Sequence, residues 1–291
     1  MKIKKYQIGP LSLEIHLPDG MEPPANWAKF ERNDEKQSEI CYEITLCEDL
    51  DDYIEELEQQ KDEGQEVLRP DFRMFHIGNL ECRLIGVKGR PEFYAVSRET
   101  EERKVEIAFR ISYLPWASQD TVFTSLLMLE RYMLEKGALI LHSAYLCHEG
   151  EAILFSAPSE TGKSTQARLW EQYRGSKTVN GDRSLLYQKE GTWYAAGWPV
   201  CGDSDICHNE SYPILSVVML KQAAKNRAYQ MRPMQAFQEI FSQVTINGWN
   251  REFQAKAMDL VEQLIGEKPV YRLECDISED AVNCLYSAIK N

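Results

Sequence analysis

The sequence predicts an α/β protein, α+β overall, with a β-rich amino-terminal module at residues 1–115 and a phosphate-loop domain at residues 116–291. Three observations carry this. From Lys2 to Arg110 apolar residues recur mainly with period two, the mark of strands with one buried face. From Ala117 to Lys136 the period becomes helical, through Val122, Phe123, Leu126, Leu127, Leu129, Tyr132 and Met133, closed by Gly137; this helix is the expected joint between the parts. Finally, Ala152–Tyr173, AILFSAPSETGKSTQARLWEQY, runs from an apolar strand through a turn into an amphipathic helix.

Composition bounds the function. At 291 residues, 43% of them hydrophobic, the chain can bury a substantial core. A net charge of −13 argues against a sequence-independent nucleic-acid binder, which needs a basic face, so no nucleic-acid partner is expected. The start, MKIKKYQIGPLSLEIHL, alternates apolar and polar residues and so lacks the continuous apolar core of a signal peptide. No stretch approaches the roughly 18–20 apolar residues of a membrane span. A cytoplasmic protein without a membrane partner is expected. The eight cysteines contain no C-x-x-C pair and read as reduced thiols. Cys201, Cys207 and His208 come nearest to a metal-ligand cluster but lack a fourth ligand.

In the first module, strands are expected at 4–8, 11–16, 40–46, 72–77, 80–87, 92–97 and 104–109, forming an antiparallel arrangement. Turns at Gly9-Pro10, Pro18-Asp19-Gly20 and Lys88–Pro91 separate several of them. The acidic segment 48–66 reads as a short helix with a solvated charged face. In the second part, strands at 139–146 and 152–155 lead to the loop, and His142 lies inside the first of them.

The loop requires its residue order for a physical reason. Amides at a helix start point at an anion, Lys163 can reach outer phosphates, and the Ser164 hydroxyl can sit on magnesium. The residues expected to cradle the nucleotide are Ala157, Ser159, Thr161, Gly162, Lys163, Ser164 and Thr165. Two positions depart from the usual pattern: Ala157 stands where G-x-x-x-x-G-K-[ST] has glycine, and Glu160 where related loops often carry another.

Beyond the loop's helix, a short strand at 177–180 ends in Gly181-Asp182-Arg183. Phosphoryl transfer calls for a second acidic group on a neighbouring strand end, and Asp182 is the candidate for magnesium binding and for orienting the nucleophile. The polar stretch 191–213, with Asp203, Ser204, Asp205, His208 and Asn209, reads as a substrate or lid loop. Arg227 offers a fork to a phosphate. The remainder predicts helices at 234–243, 250–265 and 279–290, a strand at 270–273, and a Ser278 cap.

His142-Ser143-Ala144, SAPSETGKST and Asn180-Gly181-Asp182-Arg183 together resemble the catalytic domain of HPr kinase/phosphorylase and the nucleotide-binding core of ATP-dependent PEP carboxykinase. The nearer resemblance is to HPr-kinase-related proteins of bacterial peptide-modification and other gene clusters. It covers roughly residues 140–223 and implies an HPr-kinase/PEP-carboxykinase-like phosphate-loop domain. Carried over, Lys163 corresponds to the phosphate lysine, Ser164 to the magnesium hydroxyl, Asp182 to the second aspartate of an acidic pair and His142 to the strand histidine near it. Gly181 replaces the pair's other aspartate, and the Glu-Ile-Arg-Gly segment of the phosphorylase side is missing. The resemblance thus implies an ATP- and Mg²⁺-dependent kinase acting on a hydroxyl, with a protein or peptide serine favoured over a small molecule. Asp182, His142 and Lys163 would be its catalytic residues. The other readings are a small-molecule kinase and a degenerate nucleotide sensor or scaffold. A homo-oligomer is plausible because related kinases assemble.

Overall fold

The period-two region folds as an eight-stranded sheet in a computed structural model that describes residues 1–64 and 66–290. Gln65, inside the acidic segment, and Asn291, at the end of the second predicted domain, lie outside the described residues. The chain divides into two units, one of residues 1–7 and 11–129, the other of residues 8–10 and 130 onward.

The first unit's elements are β1 (Lys2–Ile8), β2 (Leu11–Leu17), β3 (Ile40–Cys47), α1 (Asp51–Gln60), β4 (Val67–Arg69), β5 (Phe72–Ile77), β6 (Leu80–Gly86), β7 (Phe93–Glu101), β8 (Lys104–Arg110) and α2 (Asp120–Ser125). The sheet order is β1-β2-β3-β8-β7-β6-β5-β4. It is mixed and not purely antiparallel as expected, because β3 runs parallel to both β2 and β8. Parallel neighbours need a crossover and not a tight hairpin; the connection 18–39 supplies it between β2 and β3, and the run from α1 through β7 supplies it between β3 and β8. Leu50 and Leu57 at the ends of the α1 region join Phe75, Cys82, Leu84 and Val96 in one core cluster, while Asp51 and Asp52 occupy the helix's first turn, where acids suit the dipole.

The helix expected over 117–136 is broken into a 3₁₀ segment (Ile111–Ser118), α2, and α3 (Leu129–Glu135). Met128 takes a positive φ of 49° at the break, so the apolar spacing is satisfied by two short helices that each bury their apolar side.

The second unit continues with β9 (Leu139–His148), β10 (Glu151–Ser156), α4 (Lys163–Arg174), β11 (Lys177–Asn180), β12 (Arg183–Lys189), β13 (Thr192–Ala196), β14 (Ser211–Gln222), β15 (Arg227–Gln230), α5 (Pro233–Phe241), α6 (Arg251–Glu267), β16 (Val270–Cys275) and α7 (Glu279–Lys290). Its strand path is β10-β9-β12-β13-β14-β16-β15, and it closes on itself because β10 also pairs in parallel with β14. The long strands β9 and β14 make this possible. β9 pairs β12 through residues 139–142 and β10 through residues 143–148. β14 pairs β13 early and β10 and β16 later.

Two cores flank this circuit. Trp193, Val217, Ile240, Val261 and Leu264 belong to one, beneath α5 and α6. Phe155, Trp170, Val218, Leu273 and Leu285 belong to the other, beneath α4 and α7. Asn250 caps α6 by accepting from Phe253 N at 2.9 Å, and the Ser278 hydroxyl accepts from Ala281 N at 3.3 Å at the start of α7. The structure is thus a mixed α/β protein with two large sheets, in which β10 and β11 flank β9 on either side, both antiparallel to it and so ending towards the same end of the sheet.

Candidate functional site

Ser156–Gly162 joins the end of β10 to the start of α4, and its geometry follows from burial at both ends. Phe155 and Ala157 are buried, whereas residues 158–160 are exposed. Gly162 precedes the helix with φ 109°, a conformation that glycine adopts without steric cost. Glu160 also has a positive φ, 64°. This explains why glycine is usual there, since a Cβ in the left-handed region costs about 1–2 kcal/mol. Its side chain is exposed on the rim of a cleft, and its carbonyl accepts from Gln222 Nε2 at 3.3 Å.

Lys163 is 7% exposed and folds back over its own loop, donating to Ala157 O at 3.2 Å and Pro158 O at 3.5 Å. Burial pulls its ammonium below the ordinary lysine pKa, an effect that Asp182 opposes and Arg183 reinforces. The Ser164 hydroxyl donates to Gly181 O at 3.4 Å, which links the start of α4 to the turn after β11.

That turn is held by Asn180, a residue whose role the sequence did not expose. Its side chain is fully buried and uses both ends of its amide. Oδ1 accepts from Asp182 N and Arg183 N, each at 2.9 Å, and Nδ2 donates to Trp198 O at 2.7 Å and Val200 O at 3.1 Å. The signal available in sequence was an asparagine just before a Gly-Asp turn, the ordinary start of an Asx turn.

Asp182 lies beside His142, with Oδ1 3.4 Å from Nε2, and beside Arg183, with Oδ2 3.4 Å from Nε. The His142 hydrogen bond is the main cause of a carboxyl pKa below the usual aspartate value; burial acts the other way, and Arg183 and Lys163 add to the lowering. His142 is oriented from behind, its Nδ1 lying 3.3 Å from Gln243 Oε1, and it sits where β9 passes from β12 to β10.

Gly181 has a specific steric reason to be glycine. A Cβ there would lie 2.1 Å from Ser204 Oγ and 2.3 Å from Ser204 Cβ. The missing acid of the expected pair therefore has no room, because the loop after β13 puts Ser204 in that space. That loop contains a short 3₁₀ turn, Gly202–Ser204, fixed by Ser204 Oγ donating to Cys201 O at 2.6 Å. Its other polar residues divide: Asp203, Asp205 and Asn209 are exposed, while the His208 amide donates to Val179 O at 2.9 Å.

Lys163, Ser164, Asp182 and His142 are thereby drawn together by direct contacts or shared partners, with Ala157 as a partner of Lys163. Thr161, Gly162 and Thr165 line a cleft of about 740 Å³ together with Gln166, Gln222 and Asp276. Ser159 is exposed on the loop. Arg227 is not among the residues lining that cleft; it begins β15 with its guanidinium 4.8 Å from the Tyr229 ring centre. Cys201 and Cys207 are buried, Cys207 Sγ donates to Trp198 O at 3.2 Å, and these two with His208 form no metal-ligand group among the described residues. Ser164 and Asp182 offer hard oxygen donors of the kind magnesium takes. Among the described residues no helix is long and apolar enough to cross a membrane.

The family described as SynChlorMet cassette protein ScmC matches residues 119–283, more than half of the chain. No curated protein matches the sequence. A solved structure of the Hpr(Ser) kinase/phosphatase from Coxiella burnetii aligns over 50% of this chain and 89% of that one, at 11% sequence identity and a TM-score of 0.28.

Proposed function

We propose that this chain, which belongs to the family of SynChlorMet cassette protein ScmC, is an ATP-dependent phosphotransferase that moves a γ-phosphoryl group to a hydroxyl, with a serine of a protein or peptide as the favoured acceptor. The carrying observation is the convergence of a buried lysine at a strand–loop–helix junction with the Asp182 carboxylate in the turn after β11, linked through Ser164 and Gly181. Here the loop is read as a phosphate-binding loop and the domain as an HPr-kinase-like one.

In this reading the nucleotide's phosphates lie over residues 157–165, and its nucleoside extends into the cleft beside Thr165, Gln166 and Asp276. Lys163 exchanges its two backbone carbonyl partners for phosphate oxygens, so its ammonium is desolvated and pre-positioned before nucleotide arrives. Magnesium, when bound, neutralises phosphate charge, with the Ser164 hydroxyl and Asp182 carboxylate as its protein ligands. His142 holds Asp182 in a fixed orientation, and the pair orients the acceptor hydroxyl.

Glu160 does not by itself argue for a dead site, because its side chain is exposed. Calorimetric titration with ATP, with and without Mg²⁺, tests the reading. Magnesium-dependent binding that is lost in Lys163→Ala and accompanied by ADP formation supports it. Binding without turnover would make the protein a nucleotide sensor or scaffold, and no binding would remove the nucleotide reading altogether.

A further inference from the structure

The β-rich unit carries a second concentration of ligand chemistry, on the face of its sheet away from the buried residues. In the parallel β2–β3 pair, Glu14 stands opposite Cys41 and His16 opposite Glu43. Their strand neighbours Leu13, Ile15, Leu17, Ile40, Tyr42 and Ile44 are buried, so period-two alternation brings these four residues to the opposite face as a two-by-two patch. His16 Nε2 is 2.6 Å from Glu14 Oε1 and 3.8 Å from Cys41 Sγ. One ligand atom from each of the three residues lies within 4.8 Å of the others.

We infer that Glu14, His16 and Cys41 form a zinc site that ties β2 to β3. The donor set selects the metal. Calcium and magnesium take oxygen ligands, whereas one thiolate, one imidazole and one carboxylate suit Zn²⁺. In tetrahedral zinc, bond lengths of about 2.3 Å to sulfur and 2.0–2.1 Å to nitrogen put those two donors roughly 3.6 Å apart. The observed 3.8 Å between His16 and Cys41 is close to that. The 2.6 Å separation of Glu14 and His16 is a direct hydrogen bond, and it opens by a fraction of an ångström when both bind one ion.

Charge also balances, since a carboxylate and a thiolate together neutralise a divalent cation. Two ammonium groups lie close by: Lys5 is 3.6 Å from Glu14 Oε2, the oxygen not facing His16, and also donates to Lys36 O at 3.3 Å, while Lys104 is 3.4 Å from Glu43 Oε1. Glu43, beside Cys41 on the same face, is the side chain placed to approach the fourth position, which water fills otherwise. The side chains of Glu14 and His16 are only 22% and 17% exposed, so few rotamers have to be frozen on binding. The site would cross-link two strands whose chain connection is the long stretch 18–39.

The test uses the full chain, reduced and stripped with a chelator, then titrated with Zn²⁺ and, separately, Co²⁺. One equivalent of tightly held metal is expected, with a cobalt spectrum showing tetrahedral d–d bands and thiolate-to-metal charge transfer. Cys41→Ser should abolish the charge-transfer band, His16→Ala should weaken binding by more than tenfold, and Cys47→Ser, on the same strand, should leave both unchanged. Zn²⁺ should raise the unfolding midpoint of the wild type but not of Cys41→Ser. If His16→Ala is insoluble, the charge-transfer band in Cys41→Ser decides alone. No metal retained after dialysis, or equal binding by wild type and Cys41→Ser, would overturn the assignment.

Discussion

Replacing Gly181 with alanine should destabilise the second unit, and Ser204→Gly should rescue it. A Cβ at 181 would sit 2.1 Å from Ser204 Oγ and 2.3 Å from Ser204 Cβ, more than an ångström inside the 3.4 Å at which ordinary contact begins. Rotating the hydroxyl cannot relieve this, because Ser204 Cβ is itself too close. The loop is also pinned: Gly181 N donates to Ile206 O at 3.2 Å, Ser204 N to Cys201 O at 3.3 Å and Ile206 N to Ser204 Oγ at 3.3 Å. Overpacking of this kind costs about 1–3 kcal/mol. Gly181 is not among the positive-φ residues, so in a Ser204→Gly background the same alanine should be neutral or stabilising by about 0.4–1 kcal/mol through the unfolded chain. A double-mutant cycle by urea unfolding should therefore return a coupling of roughly 2–3 kcal/mol. Equal loss in both backgrounds, or no loss in Gly181→Ala alone, would refute the steric account of why this position lacks an acid.

Three further outcomes follow from the same geometry. Lys163→Met should leave the unfolding midpoint unchanged or raise it while abolishing ATP binding, because the folded chain depresses the lysine pKa and so carries the cost of a buried ammonium. The wild type's stability should rise relative to Lys163→Met as pH climbs from the folded value towards the ordinary value of about 10.4, a trend that urea midpoints across alkaline pH would reveal. Asp182 has a depressed folded pKa, so its contribution is fully present above the ordinary value of about 3.9 and is lost as pH falls through the lower folded value. The stability difference between wild type and Asp182→Asn should therefore shrink on acidification, and His142→Ala, which removes the main cause of the depression, should move that loss to higher pH. Asn180→Ala should cost about 2–4 kcal/mol, since it strips partners from two amides and two carbonyls around a fully buried side chain; unchanged urea midpoints would contradict that.

The parts of this molecule that local chemistry dictates were legible in the sequence. Period-two runs located most strands of the first sheet, and Ser278 announced its helix because a capping oxygen needs only its own next turn. Pairing was not legible: the parallel neighbours of β3 depend on connections whose path leaves no periodic trace. The helix expected over 117–136 failed because two short helices meeting at Met128 satisfy the same apolar spacing. In the candidate site, Lys163 and Ser164 declared themselves by adjacency to a strand and a helix. The roles of Asn180 and Ser204 did not, because each acts across a gap in sequence, Asn180 on residues 198 and 200 and Ser204 on residue 181. The Glu14–His16–Cys41 group was hidden for the same reason, since parallel pairing brings residues 14 and 41 side by side.

The central claim is phosphoryl transfer from a nucleotide held by Lys163 and Asp182. The most direct measurement incubates the purified full chain with Mg²⁺ and ATP labelled in its γ-phosphate, together with serine-containing peptides, including any short peptide encoded beside its gene. Label should appear on an acceptor hydroxyl in the wild type and fall by at least about a hundredfold in Lys163→Ala and in Asp182→Asn, the loss expected when a group stabilising the transferring phosphoryl is removed. Undiminished transfer by purified, folded Lys163→Ala would contradict the account.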